Sequence, residues 1–177
     1  LPLITVNFTF KENNYPDAIK NSATLQLLSS MYRKGGTQTI SADSIDELLE
    51  FKSAGVSGGL SNYQSSIQVD VLSKDVYEIL TVAKELFLKP GFDETRLVQL
   101  KEHYVQNIAH QYDHPSALSQ ALYAHVMYGE HPINWSFDSA DVVGVTREQL
   151  ITAQAGRLNS KNLVLGIAGD FNREEMI

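Results

Sequence analysis

The order of strand-type and helix-type patterns constrains the fold of this chain more than any other feature of its sequence. Residues 4–10 alternate apolar and polar side chains, which is typical of a half-buried strand. Apolar residues then recur at helical spacing as far as Gly35-Gly36, which predicts a first helix. Ser41 can cap a second helix, and Gly55 would end it in a left-handed conformation. The complete predicted order is strand 1–10, helix 18–34, a helix after Ser41, strands 56–60 and 64–72, helices 73–89, 93–112 and 116–128, a short helix after a capping box at 146–149, and a buried strand at 162–168.

Strands and helices are grouped along the chain instead of alternating strictly. Grouping favours an α+β fold, with a mainly antiparallel sheet packed with helices, over a doubly wound parallel sheet. No linker or low-complexity segment divides the 177 residues, so the sequence predicts a single domain over 1–177. Both ends look like interrupted elements, because residue 1 falls on a strand and residues 174–177 resemble the first turn of a helix. We therefore expect a piece of a longer chain.

Charge and composition exclude several classes of partner. The chain has 14 Lys and Arg against 21 Asp and Glu, a net charge of −7, and it lacks the clustered cations that bind nucleic acid. Its longest apolar runs, such as 163–168, are far shorter than the roughly 20 residues that span a membrane. The absence of cysteine excludes disulfides and thiolate metal sites but leaves the cellular compartment open.

Residues 55–59 match the GxSxG pattern of serine hydrolases. That elbow needs a strand before the serine and a helix after it, whereas here a helix precedes and strands follow. A glycine-rich start to a β-hairpin explains the same letters, and we favour that interpretation.

The five histidines all fall between residues 103 and 131. At helical spacing, His103, Asn107, His110 and His114 lie within about 60° of one another on one side of the predicted helix. Imidazoles in such a stripe can hold a transition metal. They can equally line a partly solvated groove, since Pro115 should already end the helix beside His114. The sequence leaves both interpretations open.

Several segments together carry a resemblance to a known family. They are Leu3 to Phe10, Met31 to Thr37, Pro90 to Asp93, Asp113 to Pro115, Tyr128 to Pro132, Val145 to Leu150, and Asn162 to Leu165 with Gly169-Asp170. In order and spacing they resemble the first homologous domain of the pitrilysin/insulinase-type zinc metallopeptidases, the inverzincins. The similarity is greatest to the branch that contains mitochondrial processing peptidase and bacterial zinc proteases.

The resemblance also locates the family's active site and shows how this sequence departs from it. The family binds zinc through two histidines of an HxxEH helix, whose glutamate polarises the attacking water, and through a glutamate on a later helix. Here the matching positions are Gln26, Ser29 and Ser30, and the third ligand is replaced by Asn107. No His or Glu occurs between Asn13 and Asp46, so no shift of register restores the motif.

The resemblance implies a homologue without catalytic residues and without a cofactor of its own, zinc belonging to the family and to an active partner. Such a domain pairs with a homologous active subunit or second domain and helps to enclose an unfolded peptide. One alternative is a zinc endopeptidase whose metal lies elsewhere, on His103, His110 and His114. Another is a scaffold subunit related to the core proteins of a respiratory complex. The family context suggests the bacterial periplasm or cytoplasm, or the mitochondrial matrix.

Overall fold

The chain folds around a four-stranded antiparallel sheet. The computed structural model describes residues 2–11, 21–60, 64–131, 134, 136–155, 157–158 and 160–176. The strands are β1 (Leu3–Lys11), β2 (Gly55–Leu60), β3 (Gln64–Leu72) and β4 (Leu163–Gly169), in the spatial order β2-β3-β1-β4. The predicted α+β class with an antiparallel sheet is confirmed.

The described part of the chain contains eight α-helices. They are α1 (Ser22–Lys34), α2 (Ala42–Phe51), α3 (Val76–Leu88), α4 (Glu94–Ala109), α5 (Pro115–Tyr128), α6 (Ser139–Gly144), α7 (Arg147–Gln154) and α8 (Arg173–Met176). Among the described residues, no helix combines the length and apolar character needed to cross a membrane.

The alternating sequence of β1 separates the two faces of the sheet. Ile4 and Val6 are buried in the core, as is Val69 of β3, which pairs with Val6. Helix α1 packs against β2, and α3 packs against β3. On the opposite face, the Thr5 hydroxyl donates a hydrogen bond of 2.7 Å to the Asp70 carboxylate. Burial of the apolar face fixes the strand register, because a shift of one residue would expose it.

The predicted helix caps are confirmed where a side chain bonds to a backbone amide in the first turn of the same helix. The Ser41 hydroxyl accepts a hydrogen bond from the Ser44 amide at the start of α2. Thr146 and Gln149 form the predicted capping box of α7. The predicted start of the first helix at residue 18 lies outside the described residues, which include α1 only from Ser22.

The structure differs from the predicted elements at three places in this part of the fold. Gly55 does not end a helix, because α2 stops at Phe51, Ser53 takes the left-handed conformation with φ 49°, and Gly55 begins β2. Helix α6 was not predicted, although Asp138 and Asp141 form a capping box there. The strand at 163–169 lies at a sheet edge instead of being buried; Val164 is 53% and Leu165 49% exposed.

Candidate functional site

Helix α1 places three of the four predicted site positions at the border of its buried face. Leu27 and Leu28 point into the core, and this leaves Gln26 exposed and Ser29 and Ser30 half-buried. Residues three and four apart are neighbours on a helix surface, so the three polar side chains form one patch.

Helix α4 contributes a tyrosine hydroxyl to this patch. The Gln26 side-chain amide donates a hydrogen bond of 3.1 Å to the Tyr104 hydroxyl. The hydroxyl groups of Ser30 and Tyr104 are 3.0 Å apart and share a second hydrogen bond. The phenol therefore joins the two positions that the resemblance assigns to the family's imidazoles. This role of Tyr104 was not predicted from the sequence, where the available signal was its position one turn before Asn107.

Ser29 bonds to the edge strand β2. Its hydroxyl donates to the Gly58 carbonyl at 3.2 Å and accepts from the Leu60 amide at 3.3 Å. The position that the resemblance assigns to the general base thus holds a side chain that bonds α1 to the backbone of β2. A serine hydroxyl is neutral and weakly basic, and here its proton and one of its lone pairs are engaged by backbone groups, so it does not supply a general base.

Asn107 lies one helical turn beyond Tyr104 on α4 and is exposed. Its side-chain nitrogen is 3.1 Å from Nε2 of His103. The His103 ring also contacts the Tyr104 ring edge-on, with the centroids 6.2 Å apart. Asn107, the position predicted for the third ligand, therefore lies near Tyr104 along α4. Its side chain bonds to His103 on the same helix.

These residues do not fit the zinc ion that the family binds. Zinc in proteins takes imidazole nitrogens, carboxylates or thiolates, whereas Gln26, Ser30 and Asn107 offer neutral amides and a hydroxyl. The groups are also already bonded to Tyr104 and His103. Within the described ranges, no cluster of three or more His, Asp or Glu side chains is arranged to hold a metal.

The structure divides the predicted histidine stripe between α4 and the turn that follows it. Helix α4 ends at Ala109, earlier than predicted, so His110 caps its C-terminus and His114 precedes α5. The His110 ring is 2.7 Å from the Asp113 carboxylate, while His103 is bonded to Asn107. A metal held by His103, His110 and His114 stays a prediction.

Residues 55–59 form strand β2, paired with β3 as the hairpin interpretation requires. Residues 61–63, between the two strands, lie outside the described residues. Gly58 packs directly on the Phe87 ring of α3, which gives a structural reason for a glycine in this motif.

Comparison with solved structures identifies the fold. The inactive domain of a peptidase M16 from Pseudomonas fluorescens has a TM-score of 0.85 and 20% sequence identity, and the match covers 99% of this chain and 43% of that chain. A protease from Helicobacter pylori has a TM-score of 0.80 and 14% identity, with 99% and 43% covered. The periplasmic protease PqqL from Escherichia coli has a TM-score of 0.80 and 10% identity, with 99% and 19% covered.

The chain therefore spans less than half the length of each of these proteins. The sequence matches no protein-family model. At these identities the similarity establishes the fold, and it confirms at that level the predicted resemblance to pitrilysin-type peptidase domains.

Proposed function

Because the chain has the fold of M16 peptidase domains while its site positions hold no zinc ligands, we propose that it is a non-catalytic domain of this type. In this role it pairs with an active half that carries an intact HxxEH helix, and it contributes one wall of a chamber that encloses an unfolded peptide. The fold similarity to a domain described as inactive supports this role.

The observation that carries the proposal is how the four site positions are used. Gln26 and Ser30 bond to Tyr104, Ser29 bonds to β2, and Asn107 bonds to His103. Without zinc, a water molecule keeps a pKa near 15.7 instead of about 7, so it is a poor nucleophile at neutral pH. The same residues form a neutral polar surface suited to contact a peptide without cleaving it.

The charge of the chain suggests which peptides such a chamber would favour. A net charge of −7 attracts basic segments over distances of about 10 Å at moderate ionic strength. We therefore expect the enclosed peptide to be rich in Lys and Arg, and its binding to weaken as salt is raised.

Affinity purification of the full-length protein from its native host tests the pairing. We expect a peptidase with an intact HxxEH motif to be retained, and its zinc-dependent cleavage of basic peptides to increase about tenfold or more when the two proteins are mixed. The chain alone should cleave none of these peptides.

Three results would contradict the proposal. Zinc-dependent cleavage by the purified chain would show that it is an enzyme, and replacing His110 by Ala would then test the histidine alternative. Retention of a membrane complex in place of a peptidase would favour the scaffold alternative. Peptidase activity that is unchanged when the chain is added would show that it contributes nothing to the chamber.

A further inference from the structure

We infer that the Tyr104 side chain fills the space between α1 and α4 in which a metal ion would bind. This would exclude a metal even if the zinc ligands were restored. The inference concerns the metal position alone. Its failure would leave the proposed pairing role intact, and a failure of that role would not affect it.

Positions 26 and 30 both lie on α1. They are one turn apart, with about 6 Å between their Cβ atoms. A zinc ion bound by imidazoles at both positions must lie between them, about 2.0 to 2.1 Å from each ligating nitrogen. The Tyr104 hydroxyl lies 3.1 Å from the Gln26 side-chain nitrogen and 3.0 Å from the Ser30 hydroxyl, so it lies between the same two positions.

The ring of Tyr104 is held in place by its surroundings. Tyr104 is half-buried and packs against the hydrophobic core. Leu100, one turn earlier on the same face of α4, is 5% exposed. The Tyr104 ring also contacts the His103 ring edge-on. Outward movement of the phenol would expose apolar ring surface, and this cost remains after Gln26 and Ser30, its two hydrogen-bond partners, are replaced.

Restoring the family's ligands tests whether Tyr104 is a barrier. The background is the full chain carrying Gln26→His, Ser29→Glu, Ser30→His and Asn107→Glu, combined with Tyr, Phe or Ala at position 104. Zinc per chain is measured by elemental mass spectrometry after dialysis against a small excess of zinc and gel filtration. We expect less than about a tenth of an ion with Tyr or Phe, because the ring remains, and about one ion with Ala.

Two outcomes would overturn the inference. About one zinc ion per chain with Tyr104 retained would show that the ring either moves aside or serves as a ligand itself. No zinc with Ala at position 104, in a protein whose circular dichroism matches that of the parent, would show that something else excludes the metal. Tyr104→Val is the second variant if the Ala form does not fold, since it keeps an apolar side chain near Leu100.

A measurement on the otherwise unmodified chain checks the hydroxyl separately. Tyr104→Phe keeps the ring but removes the partner of both Gln26 and Ser30, and we expect the unfolding temperature to fall by about 3 °C. Tyr123→Phe removes a hydroxyl from a tyrosine that is 63% exposed and is the control. An unchanged unfolding temperature for Tyr104→Phe would show that the hydroxyl does not hold the two helices together.

Discussion

Gly58 lies where the ring of Phe87 leaves no room for a side chain. A Cβ atom at this position would be 2.6 Å from Cε1 of the ring, and Phe87 is buried against Tyr32, with the ring centroids 4.9 Å apart. The neighbouring Gly59 is different, because its nearest obstacle is the Ser66 hydroxyl at 3.3 Å.

We therefore predict that Gly58→Ala lowers the free energy of unfolding by about 1 to 3 kcal/mol, through overpacking of the core. Gly59→Ala, which makes the same chemical change in the same strand, should stay within about 0.5 kcal/mol of the parent. Urea unfolding followed by circular dichroism measures both. Equal losses would show that backbone flexibility, and not the Phe87 ring, explains the glycine.

Lys52 and Asp75 form an ion pair that makes stability depend on pH. The Lys52 ammonium is 2.8 Å from the Asp75 carboxylate and 2.8 Å from that of Glu78. Its hydrogen bond lowers the pKa of Asp75 below the ordinary 3.8. The hydrogen bond to Asp75, followed by that to Glu78, raises the pKa of Lys52 above 10.5.

A group whose pKa is lowered by folding stabilises the fold above its unfolded pKa, and this stabilisation is lost as the pH falls through the folded value. The unmodified chain should therefore unfold at a higher temperature than Asp75→Asn from pH 5 to 8, and the difference should shrink below about pH 4. Glu78→Gln removes the more exposed partner and should show a smaller difference. A gap between the parent and Asp75→Asn that stays constant down to pH 2 would contradict this assignment.

At the residue scale, the resemblance predicted which positions differ from the family but not which hydrogen bonds the side chains at those positions make. The identities of Gln26, Ser29, Ser30 and Asn107 follow from the printed sequence. Their partners do not, because Tyr104 is 74 residues from Ser30 and Gly58 is 29 residues from Ser29. Only tertiary packing shows that the Tyr104 hydroxyl points to α1.

Helix α7 is joined to the connection between α3 and α4 by one guanidinium group. Arg147 donates from Nε to the Phe92 carbonyl at 3.1 Å and from Nη2 to the Gly91 carbonyl at 3.0 Å. Phe92 is almost fully buried and has a φ of 48°, which is costly for a residue with a side chain. The two hydrogen bonds hold this connection in its strained conformation.

We predict that Arg147→Lys lowers the free energy of unfolding by about 1 to 2 kcal/mol, because an ammonium cannot reproduce the planar pair of donors. Arg96→Lys is the matched control, since Arg96 pairs with the exposed Asp43 carboxylate and should change stability by about 0.5 kcal/mol or less. Chemical unfolding of both variants measures the effect. A loss at Arg96 as large as that at Arg147 would count against a specific role for the double hydrogen bond.

Helices and strands were predictable where the residues that determine them lie close together in the sequence. The caps at Ser41 and Thr146 act within three residues, and both were predicted correctly. The position of β4 was not, since an apolar run such as Leu163 to Ala168 looks the same in a central strand and at an edge. Its pairing with β1, more than 150 residues earlier in sequence, determines its place.

At the scale of the whole molecule, α5 stands out because none of its described side chains is buried. Leu118, Leu122 and Val126 follow one another at a spacing of four, and Val126 is 81% exposed. Apolar side chains at this spacing form one stripe, and such a stripe promotes association. The isolated chain should therefore bind an apolar dye and scatter more light as its concentration rises.

Replacing Leu122 and Val126 together by Glu should reduce the dye fluorescence by about half or more and leave the unfolding temperature within about 2 °C of the parent. Ser116→Glu with Gln120→Glu adds the same charge at the same spacing on the same helix, and it should leave the dye signal unchanged. A parent chain that binds no dye and remains monomeric at every concentration would contradict an accessible apolar stripe.

The hydrogen bonds of Ser29 also make the two borders of the sheet unequal. At one border, β2 has its Gly58 carbonyl and Leu60 amide engaged by a side chain from α1. At the other border, β4 has neither charge nor proline in its sequence and exposes Val164 and Leu165. Unpaired strand edges are templates for further strands. Another strand can therefore pair with β4 more readily than with β2.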